Sequence, residues 1–221
     1  MKIVPAILET DGELVAEKLA EVISDGRLDT VQLDILDGTL SPQLTVTPYD
    51  LVSVNWGELK VDFHLMTEDP LDYVWELAAQ NPSLPVRAVA GQVERMSDQK
   101  SFLTAIKERG WQAGLALDLE TPLDSIDDHV WGLLDQIVLM SVPLGQQGQK
   151  FDDHVLTKLH ELTHIMQEYS LKTEVLVDGG IKPAELAQLG AFGVQACAVG
   201  SFLWQGNYHE KVDQLLAASD E

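Results

Sequence analysis

TEVLVDGGIKP, residues 173–183, is an apolar run that ends in an aspartate, turns on two glycines and restarts at a proline. Thr173 to Asp178 has the β-branched, apolar composition of a buried strand. Gly179-Gly180 supplies a turn, and Pro183 suits the first turn of a helix, where its missing N–H is one that no helix uses. The stretch is therefore one strand–turn–helix unit. Its aspartate is conspicuous, because a carboxylate at the end of a buried strand is costly without a partner.

The same unit recurs outward in both directions. Further strands are expected at about Lys2 to Leu8, from Thr30, and at Leu59 to Met66, Val86 to Ala90, Ala113 to Leu119, Gln136 to Val142 and Gln195 to Gly200. Helical patterns separate them. A first helix, about Glu13 to Ser24, puts Leu14, Val15, Leu19 and Val22 on one face, and a short amphipathic segment lies near Tyr49 to Val54. Another helix starts at Pro70, and the next is capped by Ser97 or Asp98 and carries Phe102 and Ile106. Thr121-Pro122 reads as an N-cap followed by an N1 proline. Val155, Leu156, Leu159, Leu162 and Met166 form the stripe of a long helix, and Tyr208, Val212 and Leu215 belong to the last one. Eight such units in 221 residues predict an α/β chain folded as a single (β/α)8 TIM barrel domain spanning 1–221. A doubly wound open sheet is the alternative; it would place a Gly-rich phosphate turn after the first strand, where this chain has LETDGE.

A hydrophobic content of 45% with 23% charged residues is that of an ordinary soluble globular protein. No apolar run approaches the ~20 residues of a membrane span, and MKIVPAIL reads as the first strand, not as a secretory signal. The lone cysteine, Cys197, excludes a disulfide framework, so a reducing cytoplasm is the expected location. Thirty-six acidic against 14 basic residues give a net charge of −22, which argues against nucleic acid or an anionic membrane as partner. An anionic ligand must then be held by local backbone dipoles or by a metal.

In a barrel of this kind, groups at the C-terminal strand ends converge on one site. The second strand, in TVQLDILDGTLSP (residues 30–42), contributes Asp34, with Gln32 on the same face. Asp37, directly before Gly38, reads as a turn residue. The third strand contributes His64 and Met66, the fourth Gln92, the sixth Met140 and the seventh Asp178. Alone, each has an ordinary reading as a core or turn residue; their joint occurrence at corresponding ends points to a site. Gly145 and Gly148, Gly179 and Gly180, and Gly200 with Ser201 follow three neighbouring strands. Glycine turns there let phosphate oxygens approach backbone N–H groups, so a small phosphorylated molecule is the leading ligand.

These residues carry a resemblance. PAIL at 5–8, QLDILDG and SPQLT within 32–45, DFHLM at 62–66, TPL at 121–123, MSVPLGQQGQKF at 140–151, VDGGI at 177–181 and VGS at 199–201 together resemble the ribulose-phosphate 3-epimerase family over about Lys2 to Trp204. The resemblance implies epimerisation of a ketopentose 5-phosphate at C3. Asp34 and Asp178 would exchange the proton from opposite faces of the substrate. A divalent metal (Mg²⁺, Mn²⁺, Zn²⁺ or Fe²⁺) would be held by Asp34, His64, Asp178 and the residue at position 32. The expected partners are a phosphorylated sugar and further copies of the same chain.

The chain also departs from the family's pattern. Gln32 stands for a metal-binding histidine, Ala6 for a serine, Gln92 for a histidine and Leu36 for a methionine. The loop expected as NPGFGG reads PLGQQG, with Gln147 placing a side chain where a glycine is expected. Gln32 could ligate through its amide oxygen, a harder and weaker donor that disfavours Zn²⁺ relative to Mg²⁺ or Mn²⁺. Two other readings stay open: a barrel that binds a phosphosugar without turning it over, and a barrel of other chemistry. The second of these has no lysine at a matching strand end.

Overall fold

The alternating apolar runs become, in the computed structural model, eight parallel strands closed into a barrel in the order β1 to β8. The structure describes residues 1–80, 83–145 and 148–219. The strands are β1 (Lys2–Ile7), β2 (Thr30–Leu36), β3 (Lys60–Met66), β4 (Val86–Gln92), β5 (Gln112–Leu117), β6 (Gln136–Met140), β7 (Glu174–Asp178) and β8 (Ala196–Val199), and β1 pairs with β8 to close the ring. Among the described residues six α-helices pack outside: α1 (Gly12–Asp25), α2 (Pro70–Ala79), α3 (Gln99–Lys107), α4 (His154–Glu168), α5 (Pro183–Ala191) and α6 (Tyr208–Ser219). The expected barrel is the observed one. None of the described helices is long and apolar enough to cross a membrane.

The local signals behind these elements are mostly the expected ones. Asp98 caps α3, its carboxylate accepting from Ser101 N, and Pro70 and Pro183 open their helices. Two expectations fail in detail. Thr121-Pro122 does not open an α-helix: two 3-10 segments follow, Leu123–Ser125 and Asp128–Leu133. The intervening SIDDH, with Gly132 soon after, supplies short side chains that compete for backbone hydrogen bonds and no 3.6-residue apolar stripe. The short segment expected near Tyr49 to Val54 is a 3-10 turn, Pro48–Leu51. In α1 the inner face is Val15, Leu19 and Val22, whereas Leu14 is 38% exposed, because the stripe advances by four and three residues from Val15.

Strand register places the site. β2 and β3 pair from Thr30 with Lys60 to Leu36 with Met66, which sets Asp34 beside His64. Met140 lies beside Asp178, and Asp178 beside Ala198. Outward residues such as Leu33, Phe63, Leu115 and Val177 pack against the helices. The inner face is much smaller: Ala6, Ala90, Ala116, Ala196 and Ala198 pack there with Val4, Val138, Met140 and Leu176. Small inner residues leave room for polar side chains at the mouth.

The turn after β7 is fixed by glycine. Gly180 has φ +64, and a Cβ there would lie 2.3 Å from the backbone N of Phe151. Gly193 has φ +77 but open space around its would-be Cβ. Gly180→Ala should therefore lower unfolding free energy by about 3 kcal/mol or more. Gly193→Ala should lower it by about 1 kcal/mol, the conformational penalty alone. Urea unfolding of the two variants measures the difference, and equal losses would refute the steric account.

Candidate active site at the barrel mouth

Asp34 at the end of β2, His64 on β3 and Asp178 at the end of β7 are all buried, and one ligand atom from each lies within 4.8 Å of the others. Asp34 and Asp178 line a cavity at the C-terminal end of the barrel. Met66 and Met140 line it too, together with Gly145, Gly148, Gly179, Gly180, Gly200 and Ser201. The carboxylates and all three glycine turns thus share one cavity. Gln32 and His64, each 1% exposed, are not part of its lining. Asp37 is a turn residue: it accepts from Thr39 N (3.0 Å) and Thr39 Oγ1 (2.6 Å), and its other oxygen accepts from Glu68 N (2.9 Å).

The two carboxylates are bridged from below. Gln32 Nε2 donates to Asp34 Oδ1 (2.9 Å) and to Asp178 Oδ2 (2.6 Å). His64 Nδ1 faces the same two oxygens at 3.4 and 3.5 Å without forming a hydrogen bond. Burial pushes the Asp34 carboxyl up and the negative charge of Asp178 adds to this, against the pull of His64 and Gln32. Burial draws the His64 imidazole down, but the facing Asp178 and Asp34 more than reverse it and hold it up at about 9. A carboxyl held above its usual range in a cavity is a group suited to carry a proton.

Behind His64 a second set of groups sets the ring. With its amide turned to satisfy all neighbours, Gln92 accepts from His64 Nε2 (3.0 Å) and donates to Ala116 O (3.1 Å) and Glu94 Oε2 (2.7 Å). Glu94 Oε1 in turn accepts from Asp118 N (2.7 Å). With Nε2–H committed to Gln92, the neutral ring carries its lone pair on Nδ1, towards the carboxylates. Sequence reasoning named Gln92 and missed Glu94; the spacing of the pair, two apart across the end of β4, was the only available signal.

Two separations in this group have the length of a metal site. Ligand atoms sharing a tetrahedral ion with bonds of about 2.1 Å stand about 3.4 Å apart. The two His64–carboxylate separations, 3.4 and 3.5 Å, match that edge, and Nδ1 is a buried polar atom with no hydrogen-bond partner. The Gln32 contacts are shorter, of hydrogen-bond length, and made by nitrogen rather than oxygen.

The glycines divide into two kinds. At Gly145, Gly179 and Gly180 a Cβ would lie 2.2 Å from Ser41, 2.5 Å from Val142 and 2.3 Å from Phe151 N, so the protein's own packing demands glycine. Gly148 has φ +79 with open space around it. Gly200 needs glycine for neither reason: its nearest neighbour, Ala6 O, would be 3.7 Å from a Cβ. Its bareness leaves backbone open to the cavity. Ala6 also lines the cavity, and its carbonyl accepts from Trp204 Nε1 (2.7 Å). Leu36 is buried and would lie 3.2 Å from a Cβ on Gly145, so it backs that turn. Gln149, which the sequence did not single out, lines the cavity as well, whereas Gln147 lies outside the described residues.

Comparison with known proteins bears on the fold and the family. A ribulose-phosphate 3-epimerase of Escherichia coli is 32% identical over 216 residues, covering 96% of this chain and 93% of that protein. Those of Synechocystis and Bacillus subtilis are 30% and 29% identical, covering 95% and 92% of this chain and 90% and 92% of their own lengths. Among solved structures, 3-hexulose-6-phosphate synthase from Salmonella typhimurium superposes with a TM-score of 0.70 at 16% identity, covering 99% of this chain and 98% of its own. Phosphoribosyl anthranilate isomerase from Thermus thermophilus gives 0.64 at 13%, with the same coverage. At such identities these two share the fold. The sequence model described as the ribulose-phosphate 3 epimerase family matches residues 2–204, and the chain belongs to that family.

Proposed function

We propose that this chain epimerises a ketopentose 5-phosphate, or a closely related ketose phosphate, at C3. The observation that carries the reading is the shared cavity: two buried carboxylates on β2 and β7 in one space with three glycine turns. Asp34 and Asp178 reach that space from well-separated strands. One would take the C3 proton as a carboxylate while the other, as a carboxylic acid, returns one to the opposite face. The unequal protonation this needs is favoured by the burial and like-charge repulsion acting on Asp34. Met66 and Met140 would bound the sugar, and Gly145, Gly148, Gly179, Gly180, Gly200 and Ser201 would cradle the phosphate. With a net charge of −22, such local donors would offset the repulsion of an anionic ligand.

Asp34, His64 and Asp178 would hold a divalent metal, Mg²⁺, Mn²⁺, Zn²⁺ or Fe²⁺. Gln32 could join them if its amide oxygen turned inward. When bound, such an ion stabilises charge that develops on the substrate's oxygens. His64 is kept in place for this by Gln92 and Glu94. The chemistry of a Schiff-base barrel is disfavoured, since no lysine lines the cavity among the described residues.

The decisive measurement is exchange of the C3 proton with solvent deuterium for a panel of ketose phosphates. Exchange is expected with wild type and a divalent metal. Asp34→Asn and Asp178→Asn should each lower kcat by about 10³-fold, within the range for loss of a general acid or base. If phosphosugars bind but no proton exchanges with any of the four metals, the chain is a binding barrel and the epimerase reading fails.

Gly200→Ala tests the phosphate cradle separately. Stability should change by less than about 1 kcal/mol, because the new methyl meets only ordinary contacts. KM for the sugar phosphate should nevertheless rise tenfold or more. An unchanged KM would remove Gly200 from the site.

A further inference from the structure

Gln32 has the geometry of a clamp rather than of a ligand. One atom, Nε2, donates to Asp34 (2.9 Å) and to Asp178 (2.6 Å), so both amide hydrogens are spent on the pair. No single imidazole nitrogen could do this, since each carries at most one hydrogen. The side chain is 1% exposed, so water does not compete for these bonds. His64, facing the same oxygens, stands at metal-sharing separations of 3.4 and 3.5 Å with Nδ1 unpartnered. One pair of carboxylate oxygens therefore serves two incompatible arrangements. In one, an amide nitrogen bridges them. In the other they share a cation with His64, and a positively polarised NH₂ group beside that cation is repelled.

We propose that Gln32 is a metal-responsive switch. Without an ion, its NH₂ group clamps Asp34 to Asp178. An ion binds as the terminal amide makes a half-turn, withdrawing both N–H donors and offering Oε1. No covalent bond changes. The proposal rests on the reading that Asp34, His64 and Asp178 hold a divalent ion. Its consequence is a site that stays ordered without metal and loads reversibly with the free metal concentration.

The test follows the Gln32 amide directly in metal-stripped protein labelled with ¹⁵N in glutamine side chains. The Gln32 NH₂ pair is the one missing from the spectra of Gln32→His and Gln32→Leu; either variant suffices for the assignment. In stripped wild type the pair should be protected from solvent exchange. Saturating Zn²⁺ should shift it and abolish the protection. Gln32→His, which has no clamp to release, should bind Zn²⁺ at least tenfold more tightly in competition with a chelating indicator. A pair that stays put at Zn²⁺ saturation would make Gln32 a fixed structural bridge, and one unprotected before Zn²⁺ would make it a plain ligand; either result overturns the switch. Failure of Zn²⁺, Mg²⁺, Mn²⁺ and Fe²⁺ alike to bind overturns the metal reading and the switch with it. A moving amide in a protein without epimerase activity would leave the switch standing and remove only the proposed reaction.

Discussion

The structure at the barrel mouth depends on holding two buried carboxylates next to each other. With their facing atoms within 4.8 Å, Asp34 and Asp178 repel by roughly 3–4 kcal/mol as a pair of full charges at an effective dielectric of 20. A hydrogen bond to a charged group contributes about 1.5–3 kcal/mol, so the two from Gln32 are of the size needed to offset the repulsion. The raised Asp34 carboxyl and the raised His64 imidazole are responses to the same problem: a proton on either relieves the pair. A chain that needed only a stable barrel would place apolar residues here, as its own β6 and β8 do.

The barrel is built to concentrate that strain at one end. The alanines of β1, β4, β5 and β8 thin the inner wall, and the polar side chains of β2, β3 and β4 occupy the space they leave. At the opposite end Arg87 spans Asp62 and Glu174, and Gln136 donates to Glu174 (2.9 Å). Those charges are paired with a permanent partner, and the cavity beside Arg87 and Glu174 has no glycine in its lining among the described residues. The two ends therefore divide the work: opposite charges close the N-terminal end, and like charges wait at the C-terminal end. This is the ordinary division of stability and activity in such barrels.

Most of the fold was legible because period and turn chemistry repeat. The strand of TEVLVD, the Gly-Gly turn and the helix at Pro183 are each signalled locally, and β7 and α5 form where those signals put them. The helix expected after Pro122 failed because a cap and a proline were read without an apolar stripe behind them. At the site, the candidate residues were legible as strand-end positions; Asp34, Asp178, the two methionines, the glycines and Ser201 share the cavity, while Gln32 and His64 lie outside its lining. What the sequence could not carry was direction and distance. That Gln32 presents nitrogen rather than oxygen depends on two acceptors 2 and 146 positions away along the chain. That Gly145 answers to Ser41 while Gly200 answers to no side chain depends on three-dimensional neighbours. Glu94 reaches His64 only through Gln92, a relation with no period to reveal it.

Charge ties the cavity to its proposed ligand. A chain at −22 repels a sugar phosphate at long range, and Asp34 and Asp178 repel it again at close range. On the proposed reading, the glycine turns would offer backbone dipoles to the phosphate but nothing to the sugar's reacting end. With His64 charged, the group of Asp34, His64 and Asp178 still sums to −1 when both carboxylates are ionised, the wrong sign for charge that would build on an enediolate in the proposed reaction. A divalent ion displacing the His64 proton would bring the sum to zero. Binding and chemistry would then share one electrostatic requirement, and on the proposed reading the residue at position 32 would decide how easily it is met. On the proposed reading, a neutral amide that bridges the carboxylates would stabilise the site without an ion and make the loaded site easier to empty, a trade that a histidine at that position would not make.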